Sequence, residues 1–123
     1  MKLTDFDTAI EVLLEAIRTD YREYTERGAV SRARQDETDG ELTDVNLEMI
    51  EEFEEALYAK PGKKYVKIVK GGSVWGFVVA GDDKKFRVGD ILKPAGWSSP
   101  ARNAARGNIF DGYMINWTGP NYI

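Results

Sequence analysis

KYVKIVKGGSVWGFVVA, residues 64–80, decides the fold. Two runs rich in Val, Ile and aromatic residues flank Gly71-Gly72, a pair suited to a two-residue hairpin turn. The runs 64–70 and 73–80 therefore predict two antiparallel strands. Gly76 inside the second strand signals a bulge or a close approach by something large. In an undisturbed strand Trp75 and Phe77 share one face, opposite Val74 and Val78. The aromatic face is either core or the wall of a pocket, core being the plainer reading.

Towards the C-terminus the pattern stays β. Gly81-Asp82-Asp83 turns the chain into an expected strand at 84–88, and Gly89 precedes another at 90–93. Asp111-Gly112 between 108–110 and 113–117 is a type I′ hairpin signal. Towards the N-terminus the period changes to 3.6. Phe6, Ile10, Leu13, Leu14, Ile17, Tyr21 and Tyr24 recur at helical spacing, which predicts a helix over about 5–27 with Thr4 as cap and Gly28 as stop. Such a helix outreaches a small sheet, so part of its stripe is free to face another subunit. Residues 29–40 read as a polar linker. Leu42, Val45, Met49, Ile50, Phe53, Ala56 and Leu57 mark a second amphipathic helix, about 44–59, capped by Thr43 and ended by Lys60-Pro61-Gly62. The expected architecture is α+β within a single domain, residues 1–123. A helical part spans 1–60, and a β-rich ligand-binding part with a small, mainly antiparallel sheet spans 61–123.

Composition narrows the chemistry. With 42% hydrophobic and 31% charged residues, the chain has the makings of a packed core without staples. Cys and His are both absent, which removes thiol nucleophiles, disulfides, conventional zinc sites and His-based triads. No cofactor and no metal are implied, and the acids of the second half (Asp82, Asp83, Asp90, Asp111) each fall where a turn or strand start explains them. Nothing at the N-terminus reads as a signal peptide, and no apolar run approaches a membrane span, so the expected location is cytoplasmic. The net charge of −4 conceals a split: residues 1–59 carry −11 and residues 60–123 carry +7. Such asymmetry points to an anionic partner for the basic half, or to contact between the halves.

The stretch KPAGWSSPARNAARGN, residues 93–108, is the candidate site. Ser99 followed by Pro100 reads as the cap and first residue of a short helix near residues 100–106, closed by Gly107. On that helix Arg102 and Arg106 share a face, close to amide groups that attract anions. Two guanidinium groups there suit a pyrophosphate. Asn103 and Asn108 suit a ribose or a base edge, and Trp97 suits stacking. The plainer alternatives are a solvated arginine pair, a packing tryptophan and a surface lysine cluster. An anion site without a general base describes a binder better than an enzyme.

VWGFV (74–78), KFRVGDILKPAGW (85–97), PARNAARGNIF (100–110) and NWTGP (116–120) resemble the first Thoeris anti-defence family, phage sponges for cyclic ADP-ribose signals. The resemblance covers about residues 64–120. It implies a phage protein, active in the cytoplasm of the infected bacterial host. It would bind a cyclic ADP-ribose isomer made by a TIR-domain protein and sequester it uncleaved. It also implies homo-oligomers from dimer to hexamer, a second site for cyclic oligonucleotides between subunits in some members, and no role for membrane or long nucleic acid. By motif, Arg102 and Arg106 would hold the pyrophosphate, with Trp75, Phe77 or Trp97 against the base and Ser99, Asn103 and Asn108 nearby. The acidic second helix has no counterpart in it. Two other readings stand beside it: a single-strand nucleic-acid binder using a basic sheet with exposed Trp and Phe, and an acidic protein–protein inhibitor of a host factor.

Overall fold

The computed structural model describes residues 5–36, 44–81 and 83–120. It has an α+β arrangement: two helices followed by small antiparallel sheets. Helix α1 (Phe6–Asp36) and helix α2 (Asp44–Ala56) precede a four-stranded sheet of β1 (Leu57–Pro61), β2 (Tyr65–Lys70), β3 (Ser73–Val79) and β4 (Ile91–Leu92). The strand order is β1-β2-β3-β4, every pair antiparallel. Two small ribbons follow: β5 (Gly107–Asn108) with β6 (Gly112–Tyr113), and β7 (Ile115–Asn116) with β8 (Gly119–Pro120).

Helix α1 forms because its apolar residues repeat on one stripe. Ala9, Ile10, Leu13, Leu14 and Ile17 are buried against Leu57, Val66, Ile68, Trp75 and Val78. The expected cap Thr4 lies outside the described residues; Asp5 is the residue that caps. Its carboxylate accepts the Thr8 hydroxyl at 2.6 Å. That bond, with the Asp7 and Thr8 amides, holds the Asp5 carboxyl below the usual range. The helix does not stop at Gly28 but continues to Asp36. One glycine costs a helix only about 1 kcal/mol, and the alanines and arginines that follow favour helix. Residues 29–36 of the expected linker are thus helical; 37–43, including the expected cap Thr43, lie outside the described residues. Helix α2 ends at Ala56 rather than near 59, because residues 57–61 pair along β2 instead.

The expected β2–β3 hairpin is present, with Gly71 at φ 58° in its turn. Its decisive feature is a bulge. Ile68 pairs with Gly76 and Val69 with Val74, which leaves Trp75 as the extra residue on β3. The extra residue reverses the alternation. Trp75 joins Val78 on the helix side of the sheet, while Phe77 and Val79 pack on the other side with Phe86 and Leu92. Trp75 and Phe77 therefore do not share a face. Trp75 is fully buried, and its indole Nε1 donates to the Asn116 carbonyl at 2.8 Å.

Three local expectations differ from the structure. The segment 101–106 is not helical. Its amides are used in β-like contacts: Ala101 N donates to Lys93 O and Arg106 N to Ile91 O, both at 2.7 Å, and Pro94 bridges Pro100. A helix this short has too few internal bonds to compete. Residues 84–88 form turns, because Asp83 Oδ1 accepts the amides of Lys85 and Phe86. Gly89 then takes φ 94°, where a Cβ would meet the Phe110 ring at 2.8 Å. Finally, Gly107 pairs with Tyr113 and Asn108 with Gly112, so the ribbon turns over 109–111 rather than at a two-residue Asp111-Gly112 turn. Asn108 Oδ1 accepts the Phe110 amide at 2.8 Å and shapes that turn.

A Cβ on Gly76 would lie 2.9 Å from the Leu92 carbonyl oxygen and 3.1 Å from Pro120 Cγ. Gly76→Ala is expected to cost about 1–3 kcal/mol in urea denaturation, and Trp75→Ala about 3–5 kcal/mol. A Gly76→Ala loss below roughly 0.5 kcal/mol would contradict the close approach of β4 and β8.

Candidate functional site

The residues singled out by sequence separate into a locked network, a displayed loop, the core and a cleft. The locked network centres on Asp83. Arg102 Nη1 and Nη2 donate to its two carboxylate oxygens at 2.8 and 2.9 Å, a fork on a fork. Lys64 Nζ lies 3.1 Å from Oδ2, and the Asp83 side chain is wholly covered. The Arg102 guanidinium also donates to the Tyr65 hydroxyl and lies over the Phe86 ring, 5.1 Å from its centre. Lys85 Nζ donates to the Arg102 carbonyl. The Arg102 fork, together with the Lys85 and Phe86 amides and Lys64, pulls the Asp83 carboxyl far below the usual carboxylate range. Arg102 is accordingly raised above its ordinary value, first by Asp83. This arginine ties the turn at 83–86 to the segment at 101–106.

The displayed loop is 93–101. The amides of Ala95 and Gly96 donate to the Ser99 carbonyl, so Ser99 closes a tight turn rather than capping a helix. Trp97 is 54% exposed on that turn, with Lys67 Nζ 4.4 Å from its ring centre. Asn103 is exposed. Trp75 and Phe77 are both core residues, at 0% and 2% exposure.

The cleft holds about 620 Å³, and its lining among the described residues comes from 87–114. Its walls include Arg87, Asp90, Arg106, Asn108, Asp111 and Tyr113. Of the sequence candidates, only Arg106 and Asn108 meet there. Arg106 is positioned by its backbone amide bonding Ile91 O of β4, and its Nε is buried. Asn108 is a brace: its Nδ2 donates to Val88 O at 3.1 Å and to Asp90 Oδ1 at 2.9 Å. Asp90 Oδ2 in turn accepts the Arg87 amide at 2.9 Å. That buried pair fixes the turn carrying Arg87. Arg87 Nη2 crosses the cleft edge to Asp111 Oδ2 at 2.7 Å, with both side chains more than half exposed. The Asp111 partner raises the Arg87 guanidinium further above its ordinary value. Burial raises the Tyr113 hydroxyl, so it stays a neutral donor at pH 7.

Arg87, Asp111 and Tyr113 were not singled out as ligand groups by sequence. Their signal was present only in part: Arg87 lies two residues before a glycine with a left-handed backbone, and Asp111 and Tyr113 flank Gly112. Among the described residues no three carboxylates gather as a metal site, and no helix is long and apolar enough to cross a membrane.

The chain matches the family of unknown function DUF7717 over residues 2–119. It belongs to that family. No curated protein and no solved structure is detectably similar to it.

The Asp83 network has a pH signature. A carboxyl whose folded pKa is depressed contributes stability that is complete above its unfolded value, near pH 4, and is lost as pH falls towards the lower folded value. Asp83→Asn is therefore expected to lower the urea midpoint at pH 7, with the gap to the parent narrowing below about pH 4. A gap that stays constant from pH 7 to about pH 2.5 would show that the charge of Asp83 contributes nothing.

Proposed function

We propose that this protein binds a phosphorylated nucleotide in the Arg87–Arg106 cleft and holds it unaltered. The proposed occupant is a cyclic ADP-ribose-type signal of TIR-based bacterial immunity, sequestered in the host cytoplasm. The observation that carries the binding reading is that Arg87 and Arg106 line one cleft of about 620 Å³ with the neutral Tyr113 hydroxyl. That volume lies in the range of small-ligand sites, about 300–1,000 Å³. Two guanidinium groups suit the paired phosphates of a pyrophosphate by charge-assisted hydrogen bonds. Tyr113 offers a donor and a ring edge for the ribose or base.

The identity of the nucleotide comes from the sequence resemblance, and the cleft amends it in one respect. Arg102 is committed to Asp83, so Arg87 takes its place beside Arg106 as the second phosphate ligand. Oligomers and a second, cyclic-oligonucleotide site belong to the same proposal. A single-strand nucleic-acid reading loses Trp75 and Phe77, which lie in the core, and keeps only Trp97 of the aromatic candidates for stacking.

Calorimetric titration with cyclic ADP-ribose isomers tests the reading. Arg106→Ala and Arg87→Ala are each expected to weaken binding about tenfold or more, the scale of one charge-assisted hydrogen bond at roughly 1.5–3 kcal/mol. Arg102→Gln, if folded, is expected to change affinity less than about twofold. Mass spectrometry of the recovered ligand should show it intact. A folded protein that binds none of the isomers would overturn the proposed occupant. Binding that survives Arg106→Ala unchanged would overturn the proposed site.

A further inference from the structure

We infer that Asp111 is a built-in competitor for the cleft, occupying the Arg87 guanidinium until a phosphate group displaces it. The inference rests on the ligand reading of the cleft given above. Among the described residues, four charged side chains line that cleft: Arg87 and Arg106, Asp90 and Asp111. Their formal charges cancel, so an incoming anion meets no net positive charge while both carboxylates stay in place.

The two acids are not equivalent. Asp90 is 7% exposed, and its oxygens are taken by the Asn108 side-chain amide and the Arg87 backbone amide. Moving it would undo the turn that carries Arg87. Asp111 is 56% exposed at its side chain and sits on the 109–111 turn. Its carboxylate reaches Arg87 across the cleft edge at 2.7 Å, and Arg87 is its one ion-pair partner among the described residues. An exposed ion pair of this kind is weak and screened by salt. A pyrophosphate carries more charge and more acceptor oxygens than a carboxylate, so it can replace the single Asp111 contact on this guanidinium and also reach Arg106. Asp111 can then turn to solvent, leaving the described charges of the cleft at one net positive, which favours an anion. The exchange sets a threshold: a singly charged carboxylate gains nothing over Asp111, whereas a pyrophosphate does.

The experiment titrates the full chain at low salt with inorganic pyrophosphate and with cyclic ADP-ribose. It compares the parent, Asp111→Asn, Asp111→Ser, Arg106→Ala and the double variant Arg87→Ala/Asp111→Asn. Asp111→Asn is expected to bind about fivefold tighter than the parent. That gain should disappear when Arg87 is also removed, and should shrink as salt is raised through physiological strength. Asp111→Ser repeats the test should the amide disturb the turn. Binding by the parent that Arg106→Ala abolishes, but that neither Asp111 variant strengthens, would overturn the competitor role and leave the ligand reading intact. Absence of binding by either probe in every folded variant would overturn both. Binding that emerges only once Asp111 is neutralised would support both.

Discussion

One extra residue in β3 organises the molecule. With Trp75 bulged out of register, the largest side chain of the sheet turns to the helix side and is fully buried beside Leu13, Ile17 and Ile68. Its indole nitrogen holds Asn116, which fixes β7 under α1. Asp20 on α1 then accepts the Trp117 amide at 2.8 Å, and Trp117 meets Tyr21 and Phe53 edge-on. The chain beyond the sheet is thereby tied to both helices. On the other side of the same bulge, Phe77 and Val79 are released to a second core with Phe86 and Leu92. Gly76 is the permissive partner of this arrangement, since a side chain there would strike β4 and Pro120. Both layers of packing thus descend from a single interruption of the ladder.

Ion pairs in this protein divide by cover rather than by length. Asp83 with Arg102 and Arg87 with Asp111 have almost equal N···O distances, 2.8 and 2.7 Å. The first carboxylate is completely covered and accepts backbone amides as well, so removing its arginine would strand a covered charge. The second pair is open to water on both sides and can exchange partners at little cost. The covered carboxylate serves the architecture of the loops, and the exposed pair is the one the proposed ligand would engage.

Periodicity made the larger elements legible. The α1 stripe from Ile10 to Tyr21 and the strands around Gly71-Gly72 are long enough for their spacing to be decisive. The bulge was signalled by Gly76, yet its consequence was not: alternation assigns Trp75 and Phe77 to one face, and only the observed register separates them. The segment at 100–106 misled because its cap, proline and alanines all favour helix locally. Pairing with β4 outweighed a preference worth only tenths of a kcal/mol per residue. The two arginines consequently separate: Arg106 lines the cleft, while Arg102 is paired with Asp83. Arg87 escaped notice because its relation to Arg106 is made by the fold and not by spacing.

The division of charge along the chain takes a spatial form. Among the described residues, those lining the cleft come from 87–114, within the half that carries +7, and the helices, which hold most of the −11, contribute none. The acidic helices carry most of the negative charge and keep the net charge of the whole chain at −4. A small, compact anion experiences the local field more than the distant one, because charges beyond about 8–10 Å are screened at physiological salt. On the proposed reading, this layout of charge would disfavour an extended nucleic acid more than a single nucleotide. On the proposed reading, selection among small anions would be local: two guanidinium groups at the wall, and a carboxylate already resting on one of them.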